Sequence, residues 1–172
     1  MTIADRGVHE VGSLTIQTNG VLTHLANGTT TAQGERYKVI LNIAGDLTID
    51  AGGSIEVNGK GYSAWNGPGK QRTSNVAGAG HGGVGGRGSL LGAGTTYGCI
   101  TAPTNIGSSL GGGAIILTVH GTTTLQGALL AKAAQTSYQG SGGSVFLTTG
   151  ALTGNGTIDV GVLDSVKATA SG

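Results

Sequence analysis

The sequence predicts an all-β chain, a β-solenoid with a glycine-rich insert packed on one flank. Three observations predict it. Stretches of nearly the same pattern recur at 40–61, 115–135 and 145–164. Each is an apolar strand, a glycine, a second short strand, a glycine-containing turn and a third strand. Glycine accounts for 36 of the 172 residues, far above an average usage of about 7%. Helix signals are nearly absent. A unit that returns in this way cannot bury its apolar face alone and needs neighbours above and below.

The elements follow in order. A weaker copy opens the chain at 11–25, where Leu14, Ile16 and Leu22 take the inward places and His24 departs from the apolar pattern. Residues 27–34, with Thr29, Thr30 and Thr31, read as a loop. In the clear copies the central glycines Gly45, Gly121 and Gly150 coincide. Leu47 then matches Leu152, and Ile49 matches Leu125. After the turn Ile55, Leu129 and Ile158 align, with Val57, Ala131 and Val160 two residues later. Side chains alternate across a strand, so this apolar set shares one face. Thr48, Asp50, Glu56, Thr153 and Asp159 share the other. The Ala- and Leu-rich 125–135 is the best helix candidate by propensity, but it aligns with two strand-like copies and is expected to be strand.

One domain over 1–172 is expected, with first coils at 11–61, the insert at 62–113 and later coils at 114–172. The tail 165–172 reads like the opening of a further coil, so the chain is expected to continue in a longer parent protein. Between Gly61 and Gly113, 17 of 53 residues are glycine, without regular period; a collagen triple helix is therefore excluded. The insert also holds Tyr62, Trp65, His81, Tyr97 and Cys99. These large side chains predict an ordered excursion rather than disorder.

Composition narrows the function. Net charge is +1 and only 10% of residues are charged, so no basic stripe exists for nucleic acid. No apolar run reaches the roughly 18 residues of a membrane helix, and the opening residues carry no signal-peptide run. A single cysteine, Cys99, allows no internal disulfide, and its sequence neighbours supply no base to activate it.

Motifs for chemistry are weak. Residues 78–83 fit Gly-x-Gly-x-x-Gly spacing, but no helix follows to complete a dinucleotide site. Glycine–lysine pairs at 59–60 and 69–70 lack the Ser or Thr of a P-loop. The eight acids are mostly single; Glu56 and Asp159 could meet across a face only if their coils were adjacent, and a glycosidase needs such a converging pair. The histidines show no ligand spacing. No catalytic residue, metal site or cofactor is expected. Tyr62, Trp65, His81 and Tyr97 are the candidate ligand-binding residues. Aromatics among turn residues can form a carbohydrate platform, and a histidine among glycines can approach a ligand. The plainer reading is that the rings cap the flank and His81 holds glycine loops by bonds to carbonyls. Thr runs at 29–31 and 122–124 are too few for an ice-binding array. Asn27 and Asn155 sit in glycosylation acceptor patterns.

The ordered series Asn58-Gly59-Lys60-Gly61-Tyr62, residues 80–86 (GHGGVGG), Tyr97-Gly98, Pro103, Gly107-Ser108, residues 111–115 (GGGAI), 140–145 (GSGGSV) and 152–158 (LTGNGTI) resembles the glycine-rich surface proteins found as large secreted polypeptides. Residues 128–133 and 159–162 depart from that family's turn residues. The resemblance implies a right-handed parallel β-helix, here of four to six coils, and a cell-surface context, with no defined activity. The expected function is a structural or adhesive module of an extracellular surface protein. Alternatives are a filament subunit stacking end to end through its end coils, and a glycan- or receptor-binding tip as on a phage fibre. Glycans or a cell-surface receptor are the expected partners; nucleic acid and membrane insertion are not expected.

Overall fold

The computed structural model describes residues 1–28, 35–71, 77–85, 92–134 and 140–162. The expectations placed on Thr29–Thr31, on Gly86 and on the tail 165–172 lie outside the described residues. Within them there are strands, turns and loops but no helix. The strands are β1 (Thr2–Ile3), β2 (His9–Val11), β3 (Leu14–Ile16), β4 (Val21–His24), β5 (Val39–Ile43), β6 (Leu47–Ile49), β7 (Ser54–Glu56), β8 (Ala114–Leu125), β9 (Ala128–Leu130), β10 (Ser144–Thr153) and β11 (Thr157–Asp159). The 125–135 segment is strand at β9, as its alignment predicts.

Among the described residues all pairings between these strands are parallel. One sheet runs β1-β4-β7-β9-β11; the other runs β2-β5-β8-β6-β3, with β10 on the free side of β8. The long strand β8 serves both β5 and β6, because it passes Gly121 without a break while its neighbours stop at Gly45. An outside Asp46 carboxylate accepts the Thr122 amide at 2.7 Å and holds that corner.

This corrects the expected fold class. A β-solenoid, and with it the right-handed parallel β-helix of four to six coils, is not what the structure shows. It shows two parallel sheets of mixed strand and loop. The repeats are unequal, which is the physical reason. In-register partners are 33 residues apart between the first levels, 76 across the glycine-rich segment and 29 at the last level. The described part of 62–113 contributes loops and isolated bridges in place of strands.

The residue register read from the sequence does hold. Leu47 lies beside Thr123 and Ile49 beside Leu125. Ile55 lies beside Leu129, and Leu129 beside Ile158. Leu14, Ile16 and Leu22 join the same columns. The core between the sheets is narrow and β-branched: Val39, Ile43, Leu47, Ile49, Ile55, Val57, Ile115 and Leu129 are fully buried. Parallel strands buried in this way favour Val, Ile and Leu. At the first end the core opens as a concavity of about 790 Å³ lined by Val11, Leu14, Ile16, Leu22 and Leu41.

His24 is the polar residue of an otherwise apolar column. It occupies an inward place on β4 and is completely buried. Its Nδ1 donates to the Leu25 carbonyl at 2.7 Å, and Nε2 then accepts the Ala114 amide at 3.4 Å. A Cβ at Gly113 would overlap the ring, so glycine there makes the room. Asn27 is also internal, not a glycosylation site. Its Nδ2 donates to the Tyr37 and Lys60 carbonyls, and Oδ1 accepts from the Arg36 and Tyr37 amides.

Candidate functional site

The described part of the glycine-rich segment packs as a block of closely approaching backbone. Its chains approach so closely that side chains are excluded. A Cβ at Gly61 would meet the carbonyls of Gly107, Gly111 and Gly112. The Gly61 amide donates to Gly111, Tyr62 to Gly107 and Leu110 back to Tyr62. Only glycine permits such backbone-on-backbone contact.

Tyr62 is 7% exposed and packs with Ile106 and Ala114 in a small core of its own. Burial pushes its phenol above the ordinary range. Trp65 is half-buried, with a left-handed φ of 61°. Its amide donates to Ser109 Oγ at 3.2 Å, and Ser109 and Leu110 are themselves left-handed at 58° and 64°. Three non-glycine residues in that region within one corner is costly, on the order of 1–3 kcal/mol each.

His81 and Tyr97 stack, with ring centroids 4.7 Å apart and 27° between planes. His81 Nδ1 donates to the Gly142 carbonyl at 2.9 Å, which leaves Nε2 as the acceptor of the neutral ring. The Tyr97 hydroxyl donates to Ile106 O at 2.5 Å and accepts from Ser108 Oγ at 3.0 Å. Ser108 Oγ in turn accepts the Gly69 amide, and the Ser108 amide donates to Ser141 Oγ. Burial holds the Tyr97 phenol far above its ordinary range, with the Ser108 and Ser141 bonds opposing. One tyrosine therefore fastens three glycine-rich passages together.

Beside this pair lies a recess of about 230 Å³, lined by His81, Tyr97, Cys99, Ile100, Ser144 and Val160 among others. Cys99 is exposed, which the sequence reading did not anticipate. A hydrogen bond with Thr101 lowers its thiol pKa, with nearby backbone bonds assisting. The recess has no lining carboxylate; its polar side chains are His81, Tyr97, Cys99 and Ser144. Its volume is also below the roughly 300–1,000 Å³ of drug-sized ligand sites. The structure thus brings His81 and Tyr97 together, and places Tyr62 in the packing behind them. Trp65 stands apart from the recess lining.

The other candidates for chemistry separate. Glu56 and Asp159 are in register but not adjacent, because Leu130 of β9 lies between them. Asp159 instead pairs with Lys132 at 2.5 Å, and that bond lowers its carboxyl pKa. Thr122–Thr124 form part of β8 rather than a turn. Among the described residues no group of three His, Cys, Asp or Glu side chains could hold a metal, and no helix is long and apolar enough to cross a membrane. Sequence reasoning missed the ion pair of Glu35 and Lys38, which are 12% and 13% exposed at their side chains. Glu35 Oε1 accepts from Asn105 Nδ2 and the Ile106 amide, and Lys38 Nζ donates to Thr104 O, so the pair clamps the block to β5. Its three-residue spacing in a loop carried no pattern to find it by.

No family model, curated protein or solved structure matches this chain.

Proposed function

We propose that the chain is a non-catalytic structural or adhesive module of an extracellular surface protein. One observation carries the reading. The groups that look chemical in the sequence are engaged in fastening glycine backbone: the Tyr97 hydroxyl, Ser108 Oγ and His81 Nδ1 all bond within the block. The extracellular placement rests on the Gly- and Thr-rich, charge-poor composition and on the resemblance to glycine-rich surface proteins.

A glycan- or receptor-binding tip is the second reading. The left-handed corner at Trp65, Ser109 and Leu110 favours it, because strain of that kind persists where a ligand site uses it.

The test is alanine substitution at Trp65, His81 and Tyr97, read by thermal melting and on a glycan array. A structural module melts earlier with His81→Ala and Tyr97→Ala and captures no saccharide through Trp65. Saccharide captured by the wild type, and lost in Trp65→Ala at unchanged melting temperature, replaces this reading with the second.

A further inference from the structure

The small core of Tyr62, Ile106 and Ala114 is closed by two side chains that take up protons. Ile106 and Ala114 are both fully buried. The Ile106 amide donates to Glu35 Oε1 at 3.1 Å, and the Ala114 amide donates to His24 Nε2 at 3.4 Å. The passage from Ile106 to Ala114 is thus fastened to the first half of the chain at both of its ends by an acceptor that acid can remove.

Each acceptor is surrounded by donors. Glu35 Oε1 also accepts from Asn105 Nδ2, and Oε2 faces the Lys38 ammonium. A proton on either oxygen would meet a donor and discharge the pair with Lys38. His24 spends its Nδ1 proton on the Leu25 carbonyl, so a second proton on Nε2 would oppose the Ala114 N–H. Lys38 joins the two clasps, because its charge bears on His24 as well as on Glu35. Lys60 adds to it, with Nζ donating to the His24 carbonyl at 2.8 Å and Glu56 attracting it. Tyr62 and Tyr97 face Glu35, and burial keeps their phenols protonated. Once Glu35 is discharged, the Lys38 charge is left unbalanced near His24, so each proton eases the next.

We infer that residues 104–114 form an acid-released latch: protonation of His24 and Glu35 frees the Ala114 and Ile106 amides and opens the Tyr62 core while both sheets stay folded. The opening is local for two reasons. The large core is built of Ile, Val, Leu and Ala, which acid leaves alone. The middle of the passage is held by backbone bonds, Tyr62 to Gly107 and Gly61 to Gly111, which do not titrate. Burial, with Lys60 and Lys38 adding to it and the Leu25 bond opposing, lowers the His24 pKa from 6.5 to about 4. In the open latch the ring regains its ordinary value. Opening therefore grows as pH falls below about 6.5 and levels below about 4, and this ring alone raises the open fraction by up to about 300-fold. This inference goes beyond the proposed function and does not depend on it.

The experiment is native-state amide exchange of the full chain in low urea, with rates corrected for the intrinsic pH dependence of exchange. Exchange through a local opening is indifferent to urea, whereas exchange through global unfolding accelerates with it. Between about pH 7 and about pH 4 the Ile106 and Ala114 amides should lose up to about 300-fold in protection and stay indifferent to urea. The Asp50 and Ala128 amides, bonded within the sheets to Ile16 and Gly53, should respond to urea throughout. His24→Gln, whose amide keeps both bonds, should remove most of the pH dependence at Ala114. Glu35→Gln, which sets an amide donor against Lys38, should speed exchange at Ile106 already at neutral pH. Should either variant fold poorly, the urea response of the wild type decides alone. Ile106 and Ala114 amides that follow Asp50 and Ala128 in their urea response at every pH, or that keep their protection in acid, overturn the inference.

Discussion

His24 gives the sharpest test of how this core is built. A neutral imidazole with its proton on Nδ1 satisfies both neighbours, donating to Leu25 O and accepting from the Ala114 amide. A second proton on Nε2 would face that N–H donor, inside a dry core and near Lys60 and Lys38. Burial, with the two lysines adding to it and the Leu25 bond opposing, lowers the pKa from 6.5 to about 4. The folded pKa is thus below the unfolded one. As pH falls, the unfolded chain takes the proton first. Stability is complete above about pH 6.5, declines between there and about 4, and levels below. Each pKa unit is worth about 1.4 kcal/mol, so the loss over this window is about 3 kcal/mol.

The assay is urea unfolding from pH 8 to pH 4, comparing the wild type with His24→Gln, whose amide can keep both hydrogen bonds. All other ionisable groups are common to the two proteins, so the difference isolates His24. The wild type should lose about 3 kcal/mol relative to the variant across the window. Parallel profiles for the two would sink the argument that the ring is buried neutral.

Further outcomes follow from the packing. Gly113→Ala, whose methyl would overlap the His24 ring and Val57, should destabilise by about 1–3 kcal/mol or more. Gly12→Ala, with nothing within 4 Å of the new methyl, should be neutral or gain about 0.5 kcal/mol; thermal melts compare the two. Glu35→Gln strands the Lys38 ammonium in a nearly buried site and should lose about 3 kcal/mol in urea unfolding, with much of it restored by the double variant Glu35→Gln with Lys38→Met. Tyr97→Phe removes the hydroxyl shared by Ile106 and Ser108 and should lose about 1–2 kcal/mol. Amide exchange at Gly69 should accelerate with it.

Periodicity made the strand register legible, because side chains alternate with period 2 and a narrow interior selects Ile, Val and Leu. It also carried Leu129 into a strand against local helix propensity. His24 stands two residues after Leu22 and departs from the apolar pattern, so the pattern alone did not settle its burial. What settled it was the Leu25 carbonyl and a space opened by Gly113, a residue 89 positions away in the chain. At the candidate site the sequence showed that large rings sit among glycines. It did not show that Tyr97 would stack on His81, that Tyr62 would lie in a separate core, or that Cys99 would stay exposed.

By itself, then, the sequence determined which residues alternate, which face they share and that small residues must bring backbones together. These are local properties, set by the pleat and by the absence of a side chain. Only the tertiary structure decided that the repeats form two parallel sheets linked by loops, since the insert's unequal length sets which strands can meet. It alone decided that Leu130 separates Glu56 from Asp159 and that the Glu35–Lys38 pair is buried. It also left Leu152, Ile158 and Val160 exposed, although each continues an inward column. Burial is a property of neighbours, and for a column residue of the last level the neighbour is a strand about 30 residues away.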